Sequence, residues 1–330
     1  MPRKVSVPVL VLLAFASFAS AQSVRRFSFR YAFTVKDVPA GKRLRIWFPA
    51  AHSDDYQDVR IVSVKGDLPL KKTRESRFGN EIYYAESSKS KGSDLQFEVV
   101  YDVARREHLT LGLDRPRLEN ASLQSKERKE FLGPDKLVPI TGLPAQLAAN
   151  AVAPQSSELG KARAIYDYVF ANMRYDKSGT GWGHGDTLWA CDSKRGNCTD
   201  FHSLFISMAR SQNIPARFEI GFPLPPDKSS SEVPGYHCWA EFFNPQNGWI
   251  PVDISEAWKH PEKKDYFFGA HDANRIQFSG GRDLKLNPPQ QGDLLNYFIY
   301  PYVEVDGKEH PNVKLDFSFA DAGATAAARP

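Results

Sequence analysis

Cys198, His237 and Asp253 are the residues of this chain whose types and spacing could do chemistry. A Gly196-Asn197 turn leads into Cys198, and Phe201, Leu204, Phe205 and Met208 follow with helical spacing. That pattern predicts a helix with one apolar face, starting at or near the cysteine. Unpaired backbone N–H groups and the positive end of the helix dipole stabilise a thiolate there. With a histidine nearby, a thiol pKa of about 8.5 can fall to roughly 3.5–7.5.

The histidine and the carboxylate come from a predicted hairpin. Tyr236 to Phe243 and Trp249 to Ser255 read as strands about the turn Asn244-Pro245-Gln246-Asn247-Gly248. Pairing Phe243 with Trp249 sets Trp239 opposite Asp253 and His237 opposite Ser255. His237 and Asp253 then share a face as diagonal neighbours, roughly 7–8 Å apart at Cα and within side-chain reach. Cys238 points to the other face, and a one-residue slip would separate the pair. Such a set can act as a thiol triad. Cys198 would attack, His237 would take its proton and return one to a leaving amine, and Asp253 would fix the imidazole tautomer. The Cys198 N–H would be one oxyanion donor. Trp182, Trp189 and Trp239 are the candidates for a second donor or for substrate contacts.

The same residues have two rival uses. Cys198 and His202 stand at i and i+4, and His184, Asp186, Cys191, His237 and Cys238 could complete a zinc site. No C-x2-C pair occurs, and His237 and Cys238 face opposite sides of one strand, so no metal is assigned. His202 is expected beside the cleft or in the core. The chain has three cysteines, so at least one thiol is unpaired in a monomer. A Cys191–Cys238 bridge would leave Cys198 free, whereas Cys191–Cys198 would silence it reversibly; the first is the expectation. The glycine-rich run Ser178 to Asp186 lacks the Gly-Lys-Ser/Thr ending of a phosphate loop and is expected to line a cleft wall. No cofactor is expected.

These residues need a frame, and the rest of the chain supplies one. Residues 1–21 read as a signal peptide: Arg3 and Lys4, the apolar run Val5 to Phe18, then Ala19-Ser20-Ala21, with Gln22 as the mature start. The apolar run is shorter than the ~20 residues of a spanning helix, so the mature chain is expected to have no membrane span and to be periplasmic or secreted. A formal net charge of +4, two of whose cations lie in the leader, is too weak to point to nucleic acid. Residues 22–108 hold alternating segments, Phe27 to Val35 and Leu95 to Val103 foremost, and are expected to form a β-sandwich. Residues 109–155 read as a transition, with the charged run Lys126 to Glu130 as a solvated helix face. A helix capped by Ser156 or Ser157 opens the core, placed at 156–290. Pro223 to Gly235 is expected to be a mobile polar loop. A hairpin of Leu294 to Val305 and Val313 to Phe319 about Asp306-Gly307-Lys308 is expected over 291–319. Residues 320–330 are expected to be a disordered tail.

Four stretches together resemble a known family. Gly196-Asn197-Cys198 before a helix, Asn213-Ile214-Pro215-Ala216-Arg217, His237-Cys238-Trp239-Ala240-Glu241, and Gly248-Trp249-Ile250-Pro251-Val252-Asp253 look like the transglutaminase-like core. The resemblance covers roughly residues 155–258. It implies an α+β fold with a papain-like core, a helix-borne cysteine against an antiparallel sheet, and a Cys-His-Asp triad that maps onto Cys198, His237 and Asp253. A β-sandwich before the core is also similar to bacterial members with leaders. The family holds cross-linkers, thiol peptidases, amidases and inactive members. The chain is thus expected to be an exported thiol enzyme acting on peptide or amide carbonyls, cell-envelope peptides among the substrates. A catalytically inactive binding module of the same fold is the alternative. Oligomeric state is left open.

Overall fold

The computed structural model describes residues 23–111 and 121–323. The expected leader and residues 324–330 of the expected tail lie outside them. Seven strands come first: β1 (Val24–Val35), β2 (Leu44–Pro49), β3 (Gln57–Gly66), β4 (Lys71–Arg74), β5 (Glu81–Ser87), β6 (Leu95–Arg106) and β7 (His108–Leu109). Helices α1 (Ser125–Leu132), α2 (Leu143–Val152) and α3 (Glu158–Asn172) follow. Then come β8 (Arg174–Tyr175), α4 (Thr187–Ser193), β9 (Arg195–Gly196) and α5 (Cys198–Ser211). Next are β10 (Ala216–Pro223), β11 (Ser230–Glu232), β12 (His237–Asn244), β13 (Gly248–Val252) and α6 (Ile254–Lys259). The last strands are β14 (Ala270–His271), β15 (Arg275–Gly280), β16 (Tyr302–Val305), β17 (Lys308–Glu309) and β18 (Val313–Asp321). The α+β class read from the sequence holds.

Two five-stranded antiparallel sheets make a sandwich, one in the order β11-β18-β1-β6-β3 and the other β17-β16-β2-β5-β4. The strict alternation of β1 explains its place: Phe27, Phe29, Tyr31, Phe33 and Val35 are all buried, and the intervening residues are mostly partly exposed. The sandwich takes strands from both ends of the chain. β18 pairs with β1 and β16 with β2. The expected C-terminal hairpin is corrected accordingly. The Asp306-Gly307 turn joins β16 to the short β17, and β18 crosses to the other sheet. The expected tail begins later than expected, because Ala320 and Asp321 lie in β18, where Asp321 pairs with Arg25 at 2.9 Å.

The core is a four-stranded sheet, β13-β12-β10-β15, with α5 against one face. Every residue of α5 from Cys198 to Arg210 is buried, because α2, α3 and α4 cover its other sides. The transition expected over 109–155 therefore holds a core helix. α2 buries Ala148 and Val152. Its Pro144 looked like a breaker, but it sits in the first turn, where a missing N–H costs nothing. α1 buries nothing, as its charge pattern implied. The expected mobile loop at Pro223 to Gly235 is in part a strand, since Ser230–Glu232 pairs with β18.

Sandwich and core share one hydrophobic cluster. Phe222 of β10 and Phe278 of β15 pack on Phe29 and Tyr31 of β1 and Phe317 of β18, with ring centroids 4.7–5.7 Å apart in the Phe222–Phe29, Phe222–Phe317, Phe278–Phe29 and Phe278–Tyr31 pairs. Among the described residues no helix is long and apolar enough to cross a membrane.

Candidate active site

The start of α5 is built by two polar side chains and one glycine. Asn197 caps the helix, its side chain accepting the Thr199 N–H at 2.8 Å. Asp200, three residues on, accepts the Asn197 N–H at 2.9 Å, completing a reciprocal cap. The same carboxylate accepts the N–H of Gly183 at 2.7 Å and of Gly185 at 3.0 Å. The glycine-rich loop is thereby clasped to the helix start. Gly196 must be glycine: its φ is +149°, and a Cβ there would lie 2.2 Å from an Asp200 oxygen. Cys198 is the first residue of the helix and is 2% exposed.

His237 opens β12 and Asp253 follows β13. The register is the expected one, Phe243 opposite Trp249, and pairing runs as far as Ala240 opposite Val252. The second strand stops there. Asp253 caps α6 instead of continuing the strand to Ser255, its Oδ1 accepting the Glu256 N–H at 3.1 Å and the Ser255 hydroxyl at 3.2 Å. Its Oδ2 meets His237 Nε2 at 2.7 Å and accepts from Arg275 Nη1 at 2.9 Å. His237 Nδ1 is left for the thiol, and His237 and Cys198 lie close enough for each to shift the other's protonation. The three predicted triad residues thus meet at one point, at the crossing of α5 and the hairpin.

The electrostatics favour the ionic form of the pair. Burial alone would raise the Cys198 thiol, but hydrogen bonds from Cys238 and His237 and the adjoining imidazolium hold it well below its ordinary value. Burial works against the His237 cation, yet the Asp253 charge and hydrogen bond and the Cys198 thiolate push it up to about 10. Burial also opposes the Asp253 charge, and His237 and Arg275 still hold that carboxyl well below the usual range. A thiolate beside an imidazolium is a nucleophile paired with its own general acid. The Cys198 N–H belongs to the first turn, where N–H groups have no intrahelical partner, so it is placed to serve a developing oxyanion.

The other candidates fall into place around this centre. His202 is fully buried, accepts the Ile254 N–H on Nε2 at 3.1 Å, and is pushed down to about 4 by burial, so it is a neutral brace for the Asp253 turn. Trp239 is fully buried with its ring 6.1 Å from that of His237, which makes it a packing residue and not a substrate contact. Trp182 spends its indole N–H on the Gly179 carbonyl at 3.1 Å and is not free to serve as an oxyanion donor. Trp189, on α4, lies against Gly181 and beneath Arg195. The expected Cys191–Cys238 bridge is not formed; all three cysteines are free. Cys238 turns toward Thr199 and His202 of α5, at 3.6 and 3.9 Å, and Cys191 lies on α4.

Three contributors escaped the sequence reading. Asp200 was signalled by its position three residues after an Asn cap. Tyr236, whose hydroxyl bonds Asn197 Nδ2 at 3.0 Å and Thr199 Oγ1 at 2.8 Å, sat beside His237 but on no recognisable spacing. Arg275 had no local signal, because only the pairing of β15 with β10 brings it to Asp253.

Comparison with known proteins agrees with this fold. Residues 145–254 match the transglutaminase-like superfamily. The chain is similar to an uncharacterized protein of Haemophilus influenzae, 27% identical over 307 residues, covering 82% of this chain and 83% of the relative. It is also similar to the uncharacterized protein YebA of Bacillus subtilis, 23% identical over 129 residues, covering 35% of this chain and 18% of that one. Among solved structures, a Cytophaga hutchinsonii protein named as a candidate cysteine protease shares the fold, with a TM-score of 0.60 at 17% identity over 94% of both chains. Residues 145–254 are therefore a transglutaminase-like core, set in a longer chain whose strands before and after it close a sandwich.

Proposed function

We propose that this protein is an exported thiol enzyme that acts on peptide or amide carbonyls through an acyl-enzyme on Cys198. The observation that carries the proposal is the 2.7 Å His237–Asp253 contact beside a cysteine at the first turn of a buried helix. The thiolate attacks the carbonyl carbon and the oxyanion sits at the helix start. The C–N bond then breaks as the His237 imidazolium gives its proton to the leaving amine. Water next adds to the thioester with His237 as base, and the C–S bond breaks to return the thiolate. If an amine replaces that water, the outcome is transamidation. Hydrolysis is favoured because an exported enzyme of this kind needs no dedicated amine site. Product analysis with peptide substrates, with and without added amine, tests this; turnover only in the presence of amine would reverse the preference.

Export is supported by the leader pattern, and the mature chain should begin at Gln22. The substrates are then peptides or proteins met outside the cytoplasm, cell-envelope peptides among them. The 2% exposure of Cys198 favours one other reading, a binding module that keeps the fold without turnover. Cys198→Ala separates the two: a biological effect that survives this change belongs to a module.

A further inference from the structure

A second cluster of chemically active side chains lies on the hairpin face that carries His237. His237, Trp239 and Glu241 alternate along β12 and project to one side, while Cys238, Ala240 and Phe242 face α5. Beyond Trp239 the side chains of His108, Glu241 and His271 converge, all buried. One ligand-type atom from each lies within 4.8 Å of the others. His108 comes from β7 and His271 from β14, which pair directly across from one another.

We propose that His108, Glu241 and His271 bind a divalent transition metal, zinc by preference. The donor set is two imidazoles and one carboxylate oxygen, which suits zinc and not calcium. His108 Nδ1 lies 3.4 Å from Glu241 Oε1. Two ligands on one tetrahedral zinc at about 2.0–2.1 Å sit about 3.3 Å apart, so this edge is already at ligand spacing. His271 supplies the third donor, a ring nitrogen within 4.8 Å of both other ligand atoms. It is fully buried, and neither of its ring nitrogens has a hydrogen-bond partner among the described residues. A buried imidazole with two orphan nitrogens is costly unless something satisfies it.

The outer contacts also fit. His108 Nε2 is bonded to Thr110 Oγ1 at 3.1 Å, which orients the ring and leaves Nδ1 for the metal. Glu241 Oε2 is held by Arg217 Nε and Nη2 at 2.9 and 2.6 Å, which leaves Oε1 for the metal. A cavity of about 250 Å³, whose lining includes His108, Glu241, Arg217, Glu219 and Arg105, reaches two of the ligands. The three ligands come from β7, which follows the sandwich strand β6, from β12 of the core sheet and from β14 after α6. A bound metal would tie these three segments together behind the catalytic hairpin.

The test is zinc binding by the Cys198→Ala protein, because the Cys198–His237 pair could itself take zinc. After dialysis against a chelator, this variant should take up one equivalent of zinc in competition with a chromophoric chelator. Its Tm should rise with zinc. His271→Gln in the same background should take up none, and its Tm should no longer respond, with an unchanged circular dichroism spectrum. Cobalt(II) in the Cys198→Ala protein should show d–d absorption of low symmetry and no thiolate charge-transfer band. Failure of Cys198→Ala to bind zinc, retention of a full equivalent by both His271→Gln and His108→Gln, or a thiolate band would each overturn the proposal. If neither histidine variant folds, the stoichiometry and cobalt spectrum of Cys198→Ala decide it alone.

Discussion

At the residue scale, the Cys198–His237 pair sets a proton count that makes the ionic state testable. With the Cys198 thiol held well below its ordinary value and His237 raised to about 10, the folded pair keeps one proton, on His237, across the range between them. The unfolded chain holds two protons below about pH 6.5, one between about 6.5 and 8.5, and none above. Stability contributed by the pair therefore rises with pH up to about 6.5, is flat to about 8.5, and falls toward 10. Urea unfolding of the wild type across this range should show that plateau, and the Cys198→Ala, His237→Ala double variant should lose it. Alkylation gives the kinetic counterpart. The wild-type thiol should stay reactive well below pH 8, and His237→Ala should slow its alkylation at pH 6 by about tenfold or more, because the thiolate then forms only nearer pH 8.5. Arg275→Met removes the second cation on a buried carboxylate. It should destabilise the fold by about 3 kcal/mol or more, as breaking a buried pair usually does. The triad residues could be read in advance because each sits on a local pattern, a helix start or a strand of known parity. Arg275 could not, since its contact with Asp253 spans strands far apart in the chain.

At the element scale, the cysteine helix depends on Asp200 more than on its own propensity. One carboxylate satisfies three N–H groups, from Asn197, Gly183 and Gly185, and so fixes both the helix start and the loop beside it. Asp200→Ala would leave those donors buried without a partner, at about 1–3 kcal/mol for each group. The expected result is a marked loss of stability in urea and a fall in kcat larger than any change in KM, because the Cys198 N–H and the thiol both move. The hairpin register was legible because the period of two admits only one arrangement that brings His237 and Asp253 together. The turn of Asp253 into α6 was not, since an Asp after Val252 reads equally as a strand end or a helix cap. Prolines hid α2 and serines hid β11 for a related reason. Each residue type breaks structure in most settings, yet Pro144 sits in the first turn and Ser230–Glu232 lies on a sheet edge.

At the scale of the whole molecule, the chain reads as separate blocks but packs as one body. The alternation of β1 implied a buried face without saying what covers it. Part of the answer is β10 and β15 of the core, through Phe222 and Phe278, and part is β2 of the facing sheet, through Phe48, while β18 from the far end of the chain widens the face with Phe317 and Phe319. Pairings at such sequence distance leave no local trace. They have an energetic consequence, because neither half can bury its apolar face alone. Phe222 touches Phe29, Tyr31, Phe278 and Phe317 at once, so Phe222→Ala should cost about 3–5 kcal/mol. A loss confined to one block would split unfolding into two steps. A shared core instead lowers both blocks together, so tryptophan fluorescence and far-UV circular dichroism should shift by the same amount in a single transition. Two transitions in the variant, with only one displaced, would mean that sandwich and core are stable independently and that the aromatic seam between them carries little of the fold.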